Sequence, residues 1–312
     1  MSDWTTNDIP DQTGRVFLIT GANSGIGFEA TKALVDKGAH VVMACRSRLK
    51  AETAVAQIEA SGPSGSTEIL EMDLADLDSV RRGAEAFLAE HDRLDVLVNN
   101  AGLMAIPKRT TEQGLEMQFG VNHLAHFALT ALLLDTLAAS GTATQPSRVV
   151  SISSQAHRPG RIDFDNLDAS KGYHPWIAYF RSKLANLLFM RELDARCRMA
   201  ELPIISLAAH PGASDTNLGN EGDDGLLSKL TAVVQPIIKK LATQSAAMGA
   251  LPTLRAATDP DARGGDYYGP DGLGEQKGHP EKVGMSSKAT DDAVARRLWD
   301  VSLELAGVSY PF

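Results

Sequence analysis

Tyr179 and Lys183 stand four residues apart in "AYFRSKLANLL" (residues 178–188), a stretch with helical spacing. Residues at i and i+4 lie one above the other on a helix face, so a phenol and an ammonium meet there. A phenol keeps its proton to a pKa of about 10, and a fixed positive charge beside it stabilises the phenolate. The chemistry such a pair offers is proton transfer to or from an oxygen. The same spacing also arises as surface decoration, so the pair gains weight only from what surrounds it.

The elements that must position it alternate. "RVFLIT", "HVVMAC", "TEILEMD", "LDVLVNN", "RVVSIS" and "LPIISLAAH" read as strands, separated by helix-like runs, among them a long one expected from Glu112 to Ala139. "GGDYYGPDG" reads as a last edge strand, and a final helix is expected from Asp291 to Leu305. Alternation with short linkers signals βαβ units: an α/β fold with a single doubly wound parallel sheet, a Rossmann fold with helices on both faces. No repeat or linker separates two cores, so residues 1–312 are expected to form one domain.

The first strand runs into "TGANSGIG" (residues 20–27) and then a helix. Gly21, Gly25 and Gly27 allow a tight turn and close approach of a pyrophosphate, which sits at the positive helix end with Asn23, Ser24 and Ile26 lining the turn. In a strand–turn–helix setting this is a dinucleotide site. The second strand ends in "ACRSR": Cys45 stands where a carboxylate binds the adenosine ribose of NAD, and Arg46 can pair with a 2′-phosphate. NADPH is therefore expected over NADH.

The 39 acidic and 30 basic residues give a net charge of −9, which argues against a nucleic-acid surface. Cys45 and Cys197 form no disulfide framework, and the polar N-terminus has no signal-peptide pattern. With no run of 18 apolar residues, no membrane anchor is expected, and a cytoplasmic location follows. His123 and His126 lack a third ligand at useful spacing, so no metal site is expected. Met104, Met117 and Met190 read as core fillers and the acidic "NEGDDG" as a solvated lid.

In order along the chain stand "TGANSGIG", "NNAG" (99–102), Asn122 in "VNHLAHF", the serines of "SISS", "YFRSK" (179–183) and "HPGASDT" (210–216). With these, nearly the whole chain resembles the short-chain dehydrogenase/reductase family. The resemblance implies Tyr179 as general acid/base, Lys183 as the group that lowers its pKa and holds the nicotinamide ribose, and Ser154 on the substrate oxygen, with Ser153 its close competitor. It implies Asn122 in a water relay, Asn99, Ala101 and Gly102 on the adenosine–ribose side, and Asp73 and Leu74 beside the adenine. Pro211, Gly212 and Thr216 would hold the carboxamide, although Ser214 replaces the family's usual Val.

The stretch between Ser154 and Tyr179 is longer than is common in the family. With "GLMAIPKRTTEQG" and "GLGEQKGHPE" it is similar to the branch containing retinol dehydrogenases, and equally to soluble bacterial members. Inserts near 155–175 and 213–243 are expected to cover the substrate, with His157 and Arg158 either meeting it or lying on the loop surface. The implied activity interconverts a small apolar aldehyde or ketone and its alcohol. Two alternatives stand beside it: carbon–carbon double-bond reduction of the protochlorophyllide reductase type, and a non-catalytic NADP(H) sensor or scaffold. Family members often pair through the helices after the fourth and fifth strands, which leaves monomer and homo-oligomer both open.

Overall fold

The computed structural model describes residues 3–213 and 244–312. Eight strands form one sheet in the order β3-β2-β1-β4-β5-β6-β7-β8. They are β1 (Val16–Thr20), β2 (His40–Cys45), β3 (Ser66–Glu71), β4 (Val96–Asn99), β5 (Ser147–Ile152), β6 (Ile204–Ala209), β7 (Tyr267–Pro270) and β8 (Pro280–Lys282). The first seven run parallel and β8 returns antiparallel against β7. Strand order reverses between β1 and β4, which opens a crevice at their carboxyl ends.

The helices are α1 (Gly25–Asp36), α2 (Arg48–Glu59), α3 (Leu77–Glu90), α4 (Met117–Ser140), α5 (Pro175–Met199), α6 (Ala246–Thr258) and α7 (Asp292–Ala306). Alternation along β1 sends Phe17 and Ile19 into one core, with Leu34 of α1 and Leu254 of α6. Leu18 enters the other, with Phe87 of α3, Leu133 of α4, Leu188 of α5 and Trp299 of α7. Strands covered on both faces read as continuous apolar runs, which is why they show no polar alternation.

Three expectations change. Helix α4 starts at Met117 rather than Glu112, because Gly114 turns the chain at φ +79° and Thr110 bridges Glu116. The buried Glu116 carboxylate then caps the helix, accepting from the amides of Gln118 and Phe119 at 2.8 Å each. The strand in "GGDYYGPDG" is not the edge, since β8 pairs outside it. Finally, α4 is by length and composition able to cross a bilayer, contrary to the sequence reading, but 61% of its apolar window is buried inside the fold.

Helix α7 lies across α4 and α5. Trp299 sits 5.0 Å from the Phe127 ring and stacks on Phe189 at 6.0 Å, and the Tyr310 hydroxyl donates to the Phe127 carbonyl at 2.9 Å. The faces of α4 and α5 around these rings are therefore covered by this chain's own C-terminal segment.

Candidate active site

The crevice between β1 and β4 holds a cleft of about 220 Å³. Gly21, Asn23, Ser24, Gly25, Ile26 and Gly27 form one wall; Asn100, Ala101, Gly102 and Leu103 form the next. Ile152, Ser153, Tyr179, Lys183 and Pro211 close it. The glycine turn and the Tyr–Lys pair, far apart in sequence, thus share one cavity.

The turn is built for close approach. Gly21 and Gly25 have φ of +67° and +55°, and a Cβ on Gly27 would overlap the Gly21 carbonyl. Ser24 caps α1 in extended conformation without a side-chain capping bond, so the first amides of the helix keep their donors for an anion. Cys45, at the end of β2, is buried; burial raises its thiol to about 11, against hydrogen bonds from the backbone of Ala22 and Asn23. It braces the turn. Arg46 beside it is exposed, whereas Arg48 is taken up by Glu52 at 3.1 Å within α2.

Helix α5 carries Tyr179 and Lys183 on its buried face. The Lys183 ammonium stands 5.7 Å from the Tyr179 ring centroid and donates to the Ile152 carbonyl at 3.1 Å. The same carbonyl accepts from Asn186 at 2.9 Å, one helical turn on. Burial pulls Lys183 down to about 8. Burial also raises the Tyr179 phenol, opposed by its hydrogen bond with Ser154. In this structure desolvation is the larger influence on the phenol and the Ser154 hydrogen bond the smaller.

The two serines separate. Ser153 is buried and donates to the Lys183 main-chain carbonyl at 2.7 Å, so it ties β5 to α5. Ser154, half-buried, reaches Tyr179, and its Oγ accepts from the Ala156 amide at 3.2 Å. Asn122 lies in a π-helical turn of α4, Gly120–Leu124. Its Oδ1 accepts from the Leu103 amide at 2.7 Å, and its Nδ2 donates to Leu103 O and Ser182 Oγ, both at 2.9 Å. Through these bonds the side chain clamps the loop after β4 to α5.

Asn99 turns away from the cleft, its Nδ2 donating to Thr130 at 3.1 Å, and Asn100 takes the lining position, donating to the Thr20 carbonyl at 2.7 Å. Asp73 accepts from the Ala75 amide at 2.9 Å and, like the nearly buried Leu74, stands just past β3 at the carboxyl edge. Gly212 follows β6 with φ +63°. Thr216, "NEGDDG" and most of the 213–243 insert lie outside the described residues.

His126 bonds Thr20 at 2.8 Å and His123 bonds Ser302 at 3.0 Å; both are buried, and burial lowers them to about 4 and 3. His157 is buried too, accepting from the Ser286 amide at 3.1 Å, while Arg158 pairs with Glu275 at 3.3 Å. Sequence reasoning missed Asn100, Asn186 and His210, whose ring bonds Glu275 at 2.9 Å. Their signal was only a one-residue parity, one helix-face position and the residue that follows β6.

Residues 15–225 match the family model described as short chain dehydrogenase. Retinol dehydrogenase 14 of Mus musculus is 40% identical over 308 residues, spanning 95% of this chain and 86% of that one. An uncharacterized protein from Mycobacterium Paratuberculosis, known by crystal structure, is 40% identical with a TM-score of 0.82, all of both chains being covered. An NAD(P) dependent gluconate 5-dehydrogenase homologue from Beutenbergia cavernae, solved with bound NADP, is 25% identical with a TM-score of 0.60 over 80% of this chain and 92% of that one. The chain belongs to the short-chain dehydrogenase/reductase family. It is an NAD(P)-dependent oxidoreductase that acts on alcohol or carbonyl groups.

Proposed function

We propose that this protein is an NADPH-preferring reductase of apolar aldehydes or ketones, working reversibly on the corresponding alcohols. The observation that carries the proposal is the sharing of one cleft by the glycine turn and the Tyr179–Lys183 pair. The free amides at the start of α1 fit a pyrophosphate, the Lys183 ammonium fits ribose hydroxyls, and exposed Arg46 with no acid beside it fits a 2′-phosphate. Gly21, Ala101 and Gly102 keep that cradle shallow enough for a ligand backbone. Asp73, Leu74, Asn99, Pro211, Gly212 and Thr216 keep the cofactor roles the resemblance gives them, Asn99 through the sheet rather than by contact.

A bound nicotinamide supplies the hydride for the carbonyl carbon or takes one from the alcohol carbon. Tyr179 gives its phenolic proton to the nascent alkoxide, and Ser154 donates to the same oxygen. The phenolate left behind is stabilised by Lys183 and Ser154 until solvent returns the proton. In the oxidative direction the proton moves the other way.

An apolar substrate is supported by the rim. Trp176 stands edge-on to Tyr179 at 6.2 Å and is 46% exposed, Ile177 is 56% exposed, and Leu103 and Ile152 line the cleft. The names of the relatives, retinol dehydrogenases, support an apolar alcohol or aldehyde as well. The complete set Asn122, Ser154, Tyr179 and Lys183 speaks for catalysis over a sensor. Two buried free thiols suit a reducing compartment such as the cytoplasm, and the covered α4–α5 face suits a protein that does not pair there.

The test is oxidation of NADPH and of NADH by purified protein across retinal, medium-chain aldehydes, quinones and apolar ketones. The proposal expects turnover of apolar aldehydes or ketones with NADPH favoured. Saturation of an alkene with the carbonyl untouched, or preference for NADH, contradicts it.

A further inference from the structure

At the opposite end of the sheet, where the strands begin, three side chains from separate segments converge. His40 opens β2, Glu68 lies on β3, and His91 follows the last residue of α3. His40 pairs in register with Ser66, so Glu68, two residues on, presents to the same sheet face. One ligand atom from each of the three lies within 4.8 Å of the other two. Both imidazoles aim Nε2 at a single carboxylate oxygen, Glu68 Oε2: His91 at 3.1 Å and His40 at 3.4 Å.

The two imidazole–carboxylate spacings match those of a coordination shell. Zinc binds imidazole nitrogen and carboxylate oxygen at about 2.0–2.2 Å, which in a tetrahedron separates neighbouring ligand atoms by roughly 3.3–3.5 Å. The rings are held from behind. His40 Nδ1 bonds Ser66 Oγ at 2.8 Å, the outer contact that orients a metal-binding histidine, and His91 stacks on Phe87 at 4.7 Å. His40 Nε2 is buried and makes no hydrogen bond, although a carboxylate oxygen lies in front of it. A buried ring nitrogen left unbonded opposite a carboxylate oxygen is a position that a cation can satisfy.

We propose that His40, Glu68 and His91 form a site for a divalent transition metal of the zinc class, with a water as fourth ligand on the partly exposed side. The site lies away from the Tyr179 cleft and is independent of the proposed reaction. It would clip the edge strand β3 and the end of α3 to β2, holding an edge whose outer backbone groups have no strand partner among the described residues.

The experiment is calorimetric titration of ZnCl₂ into tag-free, chelator-treated protein near neutral pH, with thermal unfolding and circular dichroism in parallel. The expected result is one saturable equivalent, a rise of a few degrees in Tm at excess zinc, and at least tenfold weaker binding in His40→Ala and His91→Ala. Cobalt bound in place of zinc should show the visible absorption of a four-coordinate ion. Glu68→Gln, close in size, tests the carboxylate if an alanine variant fails to fold. His279→Ala, at a separate exposed cluster with Asp3 and Asp271, should leave binding unchanged. The absence of saturable uptake, or uptake that survives His91→Ala or is lost in His279→Ala, overturns the proposal.

Discussion

The two sides of the cleft are built on different principles. The nucleotide side is made of backbone: glycines at positive φ, the bare amides of α1, and Asn100 tying β4 to β1. The opposite side is made of side chains, Trp176, Tyr179 and Lys183 on α5, with loop side chains tied together beside them. Gln155 and Arg158 are tied to Glu275 of a distant loop, and Tyr173 donates from the insert to the Ile106 carbonyl at 2.6 Å. Backbone geometry recognises what every nicotinamide dinucleotide shares, whereas loop side chains can change without disturbing the sheet. Under the proposed function, cofactor class is therefore written into the fold and substrate choice is layered over it.

Substitutions at the boundary and on either side sharpen that division. The largest effect is expected from Lys183→Met, which should lower kcat by about 10²–10⁴-fold. The same variant should be more stable than the wild type at neutral pH. Lys183 has a folded pKa of about 8, below its ordinary 10.5, so the unfolded chain binds more protons between those values. Its burial is therefore destabilising at neutral pH, and that penalty fades as pH rises from about 8 toward 10.5. Thermal unfolding of both proteins across that window checks the sign, since a Tm gap that widens with pH would refute it.

A smaller effect is expected on the backbone-built side. Arg46→Asp removes a charge-assisted contact worth about 1.5–3 kcal/mol, so the NADPH to NADH preference in kcat/KM should fall by roughly 10–100-fold. An unchanged ratio would remove Arg46 from phosphate recognition. The smallest effect belongs to the rim at the start of α5. Trp176→Ala should raise KM for apolar aldehydes by roughly tenfold and leave KM for NADPH where it was. A matching loss for both ligands would erase the distinction between the two sides.

What was legible in the sequence is what is local in it. The glycine turn, the Tyr–Lys spacing and the alternation of strands and helices each fit within a short window, and each reappears in the structure. What was not legible depends on distant partners or on parity. Asn99 and Asn100 are adjacent, and only the sheet decides which one faces the cleft, because a one-residue step reverses the face. The start of α4 was misplaced because Gly114 and the Glu116 cap act against an otherwise helical run. Strand β8 has three residues and exists only by pairing with β7. His40, Glu68 and His91 come from three segments, and nothing in their spacing announces that they meet. Ser153 and Ser154 were left open by sequence; they differ in partners, Ser153 bonding the Lys183 carbonyl and Ser154 reaching Tyr179.

The central claim is that Tyr179 gives and takes the proton. It is tested most directly by single-turnover reduction of an apolar aldehyde with NADPH, comparing the wild type with Tyr179→Phe and measuring NADPH affinity in both. Loss of the chemical step by about 10²–10⁴-fold, with NADPH bound as before, is the predicted result. A chemical step close to the wild-type rate in the phenylalanine variant would contradict it and assign the proton to another group.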